Sequence, residues 1–203
     1  MREDPDVDQS KRATLRRFAA LGAASPLVGL ASAEESDSDT PEAIVGYLST
    51  TPGAHFSKIR DDLHLGTGET QHHLDELESD GAIESRKDGD YRRYFPAGQF
   101  SEFEQTALGQ LRRETPRQVV IVLLEAPDAT AGEIADRVGV SRPTVSNCAK
   151  RLESAGLLSR NGGYSLIDPE TVLLLLVRYA DSFGEDAAAF AETAPSLVEY
   201  TGK

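Results

Sequence analysis

Between Ser141 and Leu152 the chain carries Arg142, Thr144, Ser146, Asn147, Lys150 and Arg151 and not one carboxylate. The protein as a whole has 34 Asp plus Glu against 21 Lys plus Arg, for a net charge of -13. An acid-free stretch in so acidic a chain suits contact with a polyanion. Arg and Asn offer paired donors for base edges, Arg and Lys neutralise phosphates, and Ser and Thr hydroxyls bond to either. Val145, Ala149 and Leu152 recur at i, i+4 and i+7, the spacing of one buried helical face. That spacing leaves Arg142, Thr144, Ser146, Asn147 and Lys150 outward, with Ser141 at the cap. Arg160, in the segment that follows, adds a further cation.

A second group of candidates lies earlier. Thr67, Gln71 and His72 could face bases, yet their helix carries Glu69, Asp75, Glu76, Glu78 and Asp80 and neither Lys nor Arg. Bringing it to phosphates would cost electrostatic energy instead of releasing counterions. The hairpin after it differs, since Arg86, Lys87, Arg92 and Arg93 flank its turn. Two readings stay open for this region: an auxiliary contact to phosphate or the minor groove through the hairpin, and a packing or partner surface.

Other chemistries find no set of residues. Four histidines and one cysteine are present, and adjacent helical residues point about 100° apart. His72 and His73 are therefore not expected to chelate one ion together, and no metal or cofactor is expected. Cys148 cannot pair within the chain; it lies beside the apolar face, where a buried inert thiol and a redox switch are the alternatives. No nucleophile with a base and orienter, glycine-rich phosphate loop or paired catalytic carboxylates can be placed, so the chain is not expected to be an enzyme.

The elements that position these residues come in two copies. Shifted by 75 residues, Ile44 meets Val119, Leu48 meets Leu123, Pro52 meets Pro127, Ile59 meets Ile134, Leu77 meets Leu152 and Gly81 meets Gly156 without a gap. Two copies are too few for a solenoid and imply a duplicated small domain. In the second copy Pro116 opens a first helix, Thr130 with Glu133 forms a capping box for a second that Gly139 ends, and Ser141 caps a third over 142–155. A strand, an Asn161-Gly162-Gly163 turn and a strand follow. The first copy predicts helices at 41–49, 56–63 and 68–79, then a hairpin from Ile83 to Phe95 turning at Asp88-Gly89.

Three helices and a two-stranded hairpin, twice over, resemble the archaeal, haloarchaeal-type tandem winged helix-turn-helix transcriptional regulators. The likeness of the first copy rests on Pro52 to Ile59, Thr70 to Glu78 and the hairpin Asp88 to Pro96. The second copy resembles the MarR and ArsR type through Gly132 to Ser141, Thr144 to Asn147 and Arg151 to Leu158. The resemblance implies a mainly α fold with small β-wings (α+β), two such domains joined by a helix, and a C-terminal apolar helix. The domains are 41–99 and 116–168, the joining helix 100–115 and the packing or dimerisation helix 169–183. A tail spans 184–203, frayed apart from a weak helix near Ala187 to Thr193. The resemblance further implies a DNA-binding regulator acting on double-stranded DNA through the third helix of the second copy in the major groove, with wing contacts to phosphate. The rival from another class is a protein-interaction module of duplicated winged helices, membrane-associated in one form.

Residues 1–40 read as a signal-like or disordered tail. Basic residues precede a small-residue apolar run over 18–31, and Ala31-Ser32-Ala33 has the form of a cleavage site. Membrane association would be confined to 18–31, a misassigned start codon is the alternative, and a cytoplasmic location follows from the nucleic-acid reading. Val172 to Val177 is apolar nearly all round, so packing against the joining helix or a second subunit is expected, with a homodimer through these two helices favoured. Only five of the 21 cations are lysines, and the spread-out acidity fits a cytoplasm of high salt, where screening lengths shrink to about 3 Å.

Overall fold

The computed structural model describes residues 13–18 and 39–197, and the chain divides into two compact units between Ser101 and Glu102. In the first unit, α1 (Asp39–Thr50), α2 (Phe56–Asp62) and α3 (Thr67–Ser79) precede a hairpin of β2 (Ile83–Asp88) and β3 (Tyr91–Pro96). A two-residue strand, β1 (Ala54–His55), adds to the outer edge of β3, so the sheet order is β1-β3-β2, antiparallel throughout. Ile44, Leu48, Ile59, Leu63 and Leu74 are fully buried in its core. The register pairs Asp88 with Tyr91, which makes Gly89-Asp90 the connection, one residue later than the sequence suggests. Only its first central residue needs a positive φ; Gly89 supplies it at 62°.

The second unit repeats the plan. A leading helix, α4 (Glu102–Leu111), is followed by α5 (Glu114–Glu125), α6 (Ala131–Val138), α7 (Arg142–Ser154) and a short hairpin, β4 (Leu158–Ser159) with β5 (Ser165–Leu166). Then come α8 (Pro169–Arg178), the single turn α9 (Ala180–Phe183), α10 (Glu185–Thr193) and a 3-10 turn at Ala194–Leu197. The chain is thus mainly α with small β-wings.

The apolar helix finds its cover in its own unit. Val172, Leu175 and Leu176 of α8 are buried, α8 packs on α4 and α10, and Ala107, Leu108 and Leu111 fill the α4 side. Of the two packing partners expected for this helix, the structure takes the one in the same chain, so the facing sides of α4 and α8 are not left for a second subunit. Leu174 at 69% and Val177 at 40% remain exposed on the outer side.

In the tail expected to fray apart from a weak helix near Ala187 to Thr193, residues 185–195 are ordered. There α10 is a formed helix, with Ala187, Phe190 and Ala194 buried at i, i+3 and i+7. The alanines gave that stripe little hydrophobic contrast in the sequence. Asp186 secures it: buried Arg117 of α5 donates from Nε to both carboxylate oxygens at 2.9 Å and from a terminal nitrogen to the Leu111 carbonyl at 3.0 Å. Arg112 adds bonds to the Ser182 carbonyl at 2.6 Å and its hydroxyl at 3.0 Å, and lies 4.4 Å over the Phe183 ring.

The signal-like reading falls mostly on 1–12 and 19–33, outside the described residues. Residues 13–18 are helical; Leu15 is buried in the core of the first unit and Phe18 meets the Tyr47 ring edge-on at 5.3 Å. Among the described residues no helix is long and apolar enough to cross a membrane.

Removing the carboxylate from Asp186 strands a guanidinium that is 7% exposed. Asp186→Ala should therefore cost about 3 kcal/mol in urea unfolding, while the exposed Asp181→Ala should stay within about 0.5 kcal/mol.

Candidate nucleic-acid interface

The third helix of the second unit is oriented by what it buries. Val145, Ala149 and Leu152 are fully buried and Cys148 nearly so, so the opposite face, with Arg142, Thr144, Ser146, Asn147, Lys150 and Arg151, is exposed. Its start is fixed locally. The Ser141 hydroxyl accepts from the Thr144 N-H at 3.3 Å and lies 2.8 Å from the Thr144 hydroxyl, while Pro143 sits in the first turn, where its missing N-H costs nothing.

Upstream, Thr130 and Glu133 form the capping box: the Thr130 N-H donates to the carboxylate at 2.8 Å and the Glu133 N-H to the Thr130 hydroxyl at 3.3 Å. The Thr130 N-H and the Thr130 hydroxyl, each donating to the same carboxylate oxygen at 2.8 Å, hold the Glu133 carboxyl below its ordinary range. Gly139 ends α6 with φ 74°, turning the chain through Val140 into α7. The Arg142 guanidinium lies across the first turn of α6, where a Cβ on Gly132 would sit 3.0 Å from it.

Arg142, Lys150 and Arg151 enter no ion pair among the described residues, so their charge is available to an outside anion. Arg160 is less so. Its Nε donates to Glu153 at 2.7 Å, a bond from the wing to the end of α7. Arg92 in the first unit does the same with Glu78, the residue equivalent to Glu153 in the repeat, donating to both oxygens at 2.9 Å and to the Ser85 hydroxyl at 2.6 Å. In both units a glutamate at the same place in the third helix clasps a wing arginine.

One expected contact residue is withdrawn. Arg93 is 4% exposed and built into the first unit, with Nε 3.0 Å from Asp88, a terminal nitrogen 3.2 Å from the Gly53 carbonyl, and the guanidinium 5.0 Å over the Tyr91 ring. A buried, neutralised guanidinium cannot reach a phosphate. Strand alternation alone did not reveal this, because β1 covers that edge of the hairpin and was too short to read. Lys87 and Arg92 are exposed, and Arg86 is half-buried with partners of its own.

Thr67, Gln71 and His72 are exposed on α3 as expected, but Gln71 donates to Asp75 at 2.8 Å and the surrounding face is acidic. The adjacent histidines are closer in action than their 100° separation implied. His72 Nε2 and His73 Nδ1 each lie 3.8 Å from the same oxygen of Glu76. His64 stands apart with φ 55°.

Burial pushes the Cys148 thiol up to about 11, against the opposing pull of Arg151. The thiol is therefore protonated at neutral pH and unsuited to redox signalling.

Comparison with known proteins agrees with this architecture. Residues 38–108 match the family model of an N-terminal HTH domain, and residues 112–159 match that of a winged helix-turn-helix DNA-binding domain. An uncharacterized HTH-type transcriptional regulator of Methanocaldococcus jannaschii is 29% identical over 120 residues, 59% of this chain. The matched stretch covers 30% of that relative's length. No solved structure matches. The likeness is to helix-turn-helix regulators.

At pH 8 alkylation of Cys148 in the native chain should be slower than in urea by at least about a hundredfold, since a group with pKa near 11 is about 0.1% ionised there. Equal rates in the two states would contradict its burial.

Proposed function

We propose that this tandem winged helix-turn-helix chain is a DNA-binding transcriptional regulator whose second unit reads the major groove through α7. The carrying observation is the exposed face of that helix, which has Arg142, Lys150 and Arg151 for phosphates, Asn147, Ser146 and Thr144 for base edges, and no acid before Glu153. A recognition helix contacts base edges with its N-terminal residues, and Ser141 to Asn147 supply that end.

The wing cations differ in what they would add. Lys87 is exposed at the tip of the first wing, while Arg92 and Arg160 would have to exchange a glutamate for a phosphate. Exposed ion pairs are worth little, about 0.2–1 kcal/mol, so that exchange is cheap. A homodimer is supported by the outer face of α8, where Leu174 and Val177 are exposed. Two copies joined there would present two α7 helices to paired half-sites. Leu174→Glu should then halve the solution mass measured by light scattering; an unchanged mass would remove α8 from the interface.

The second reading, a partner-binding role for the first unit, is favoured by the acid-rich face of α3. A regulator built this way would read DNA with one copy and a protein with the other.

The decisive assay is gel-shift binding to the protein's own upstream region in high-salt buffer. Asn147→Ala should cost about 1–3 kcal/mol and relax preference at one base position. Lys150→Ala should weaken all sequences alike and lower the slope of log K against log salt by about 0.9. The triple variant of Arg142, Asn147 and Lys150 should lose specific binding. Binding unchanged in that variant would defeat the assignment.

A further inference from the structure

We infer that the first unit holds a divalent transition-metal ion on His72, His73 and Glu76 of α3. Viewed down the helix at about 100° per residue, Glu76 falls about 40° beyond His72 and about 60° short of His73. The carboxylate is therefore within reach of both imidazoles, whose ring centroids are 5.2 Å apart with the planes tilted by 49°. His72 Nε2 and His73 Nδ1 are each 3.8 Å from Glu76 Oε2, too far for a hydrogen bond, and one donor atom from each of the three residues fits within 4.8 Å of the others. An ion bonded at about 2.1 Å in tetrahedral geometry needs its ligands roughly 3.4 Å apart. Small side-chain rotations close that difference.

Two features separate this trio from an ordinary acidic helix face. First, His73 Nδ1 is a buried nitrogen with no hydrogen-bond partner, and it lies on the Glu76 side of its ring. Buried polar atoms are rarely left so, and a ligated cation would satisfy it. Second, the neighbouring acids are engaged: Glu69 accepts from the Gly66 N-H, Asp75 from Gln71, and Glu78 from Arg92 and Ser85. Among the described residues the Glu76 carboxylate meets only the two imidazoles.

Two imidazoles and one carboxylate suit zinc, nickel, cobalt or copper over magnesium or calcium, and the exposed helix surface leaves the remaining positions to water. Among the described residues the second unit has no such set. Its equivalent positions are Asn147, Cys148 and Arg151, so after duplication one third helix carries metal donors and the other carries groups for DNA. Loading would add two positive charges to a helix with four acids and neither Lys nor Arg; any effect of that on docking to a duplex rests on the function proposed above, whereas the site itself does not.

The test is calorimetric titration of zinc into the untagged, metal-free chain, repeated for His72→Gln, Glu76→Gln, His73→Gln and His64→Gln. One equivalent should bind. His72→Gln and Glu76→Gln, both at exposed positions, should each weaken binding by more than the roughly tenfold that loss of even an outer-shell partner costs. His73→Gln should do the same with unchanged far-ultraviolet circular dichroism, and His64→Gln should leave binding intact. Absence of saturable binding at one equivalent, or binding indifferent to His72→Gln and Glu76→Gln, would overturn the site. A chain that binds zinc in this way but shifts no DNA would leave the site standing and sink the regulatory reading instead.

Discussion

The burial of three side chains, Val145, Ala149 and Leu152, settles what the second unit can present to another molecule. Each is fully inside the core, and a helix pinned along that line can show solvent only its other side. The polar residues there are exposed because the apolar ones cannot be. Thr70, Leu74 and Leu77 do the same for the first unit at the equivalent positions, and all three are buried. One packing rule thus orients both third helices, and the outward residues then decide how each is used.

Those outward residues diverge in sign. Where α7 carries Arg142, Lys150 and Arg151, α3 carries Asp75, Glu76 and a pair of histidines. The scaffold around them has changed less. In each unit a glutamate near the helix end takes a wing arginine, although the arginine comes from β3 in one and from just after β4 in the other. The same pairing reached from different strands argues that holding the wing against the helix matters to both units, while the surface charge is free to vary.

Much of this was legible in the sequence because it depends on periodicity and on local caps. The i, i+4, i+7 stripe of α7, the Thr130–Glu133 box and Gly139 are short-range signals, and each appears in the structure as written. The missed features depend on contacts between distant residues. Strand β1 is two residues long and exists only because β3 offers an edge, and Arg93 is buried only because that strand, Asp88 and Gly53 close over it. The sequence predicts only a weak helix near Ala187 to Thr193, and the formed α10 is anchored by Arg117, 69 positions from Asp186. The approach of His72 and His73 to one oxygen of Glu76 is hidden for another reason: the 100° between adjacent helical residues sets the imidazoles apart, and the carboxylate one turn on is what both reach.

The central claim is that α7, and not α3, meets the bases. A photoreactive side chain placed at position 147, and in a separate chain at the equivalent position 72, tests it on a bound duplex. Crosslinks to bases from 147, with none or only backbone adducts from 72, are the predicted result. Base crosslinks from 72 with none from 147 would contradict it.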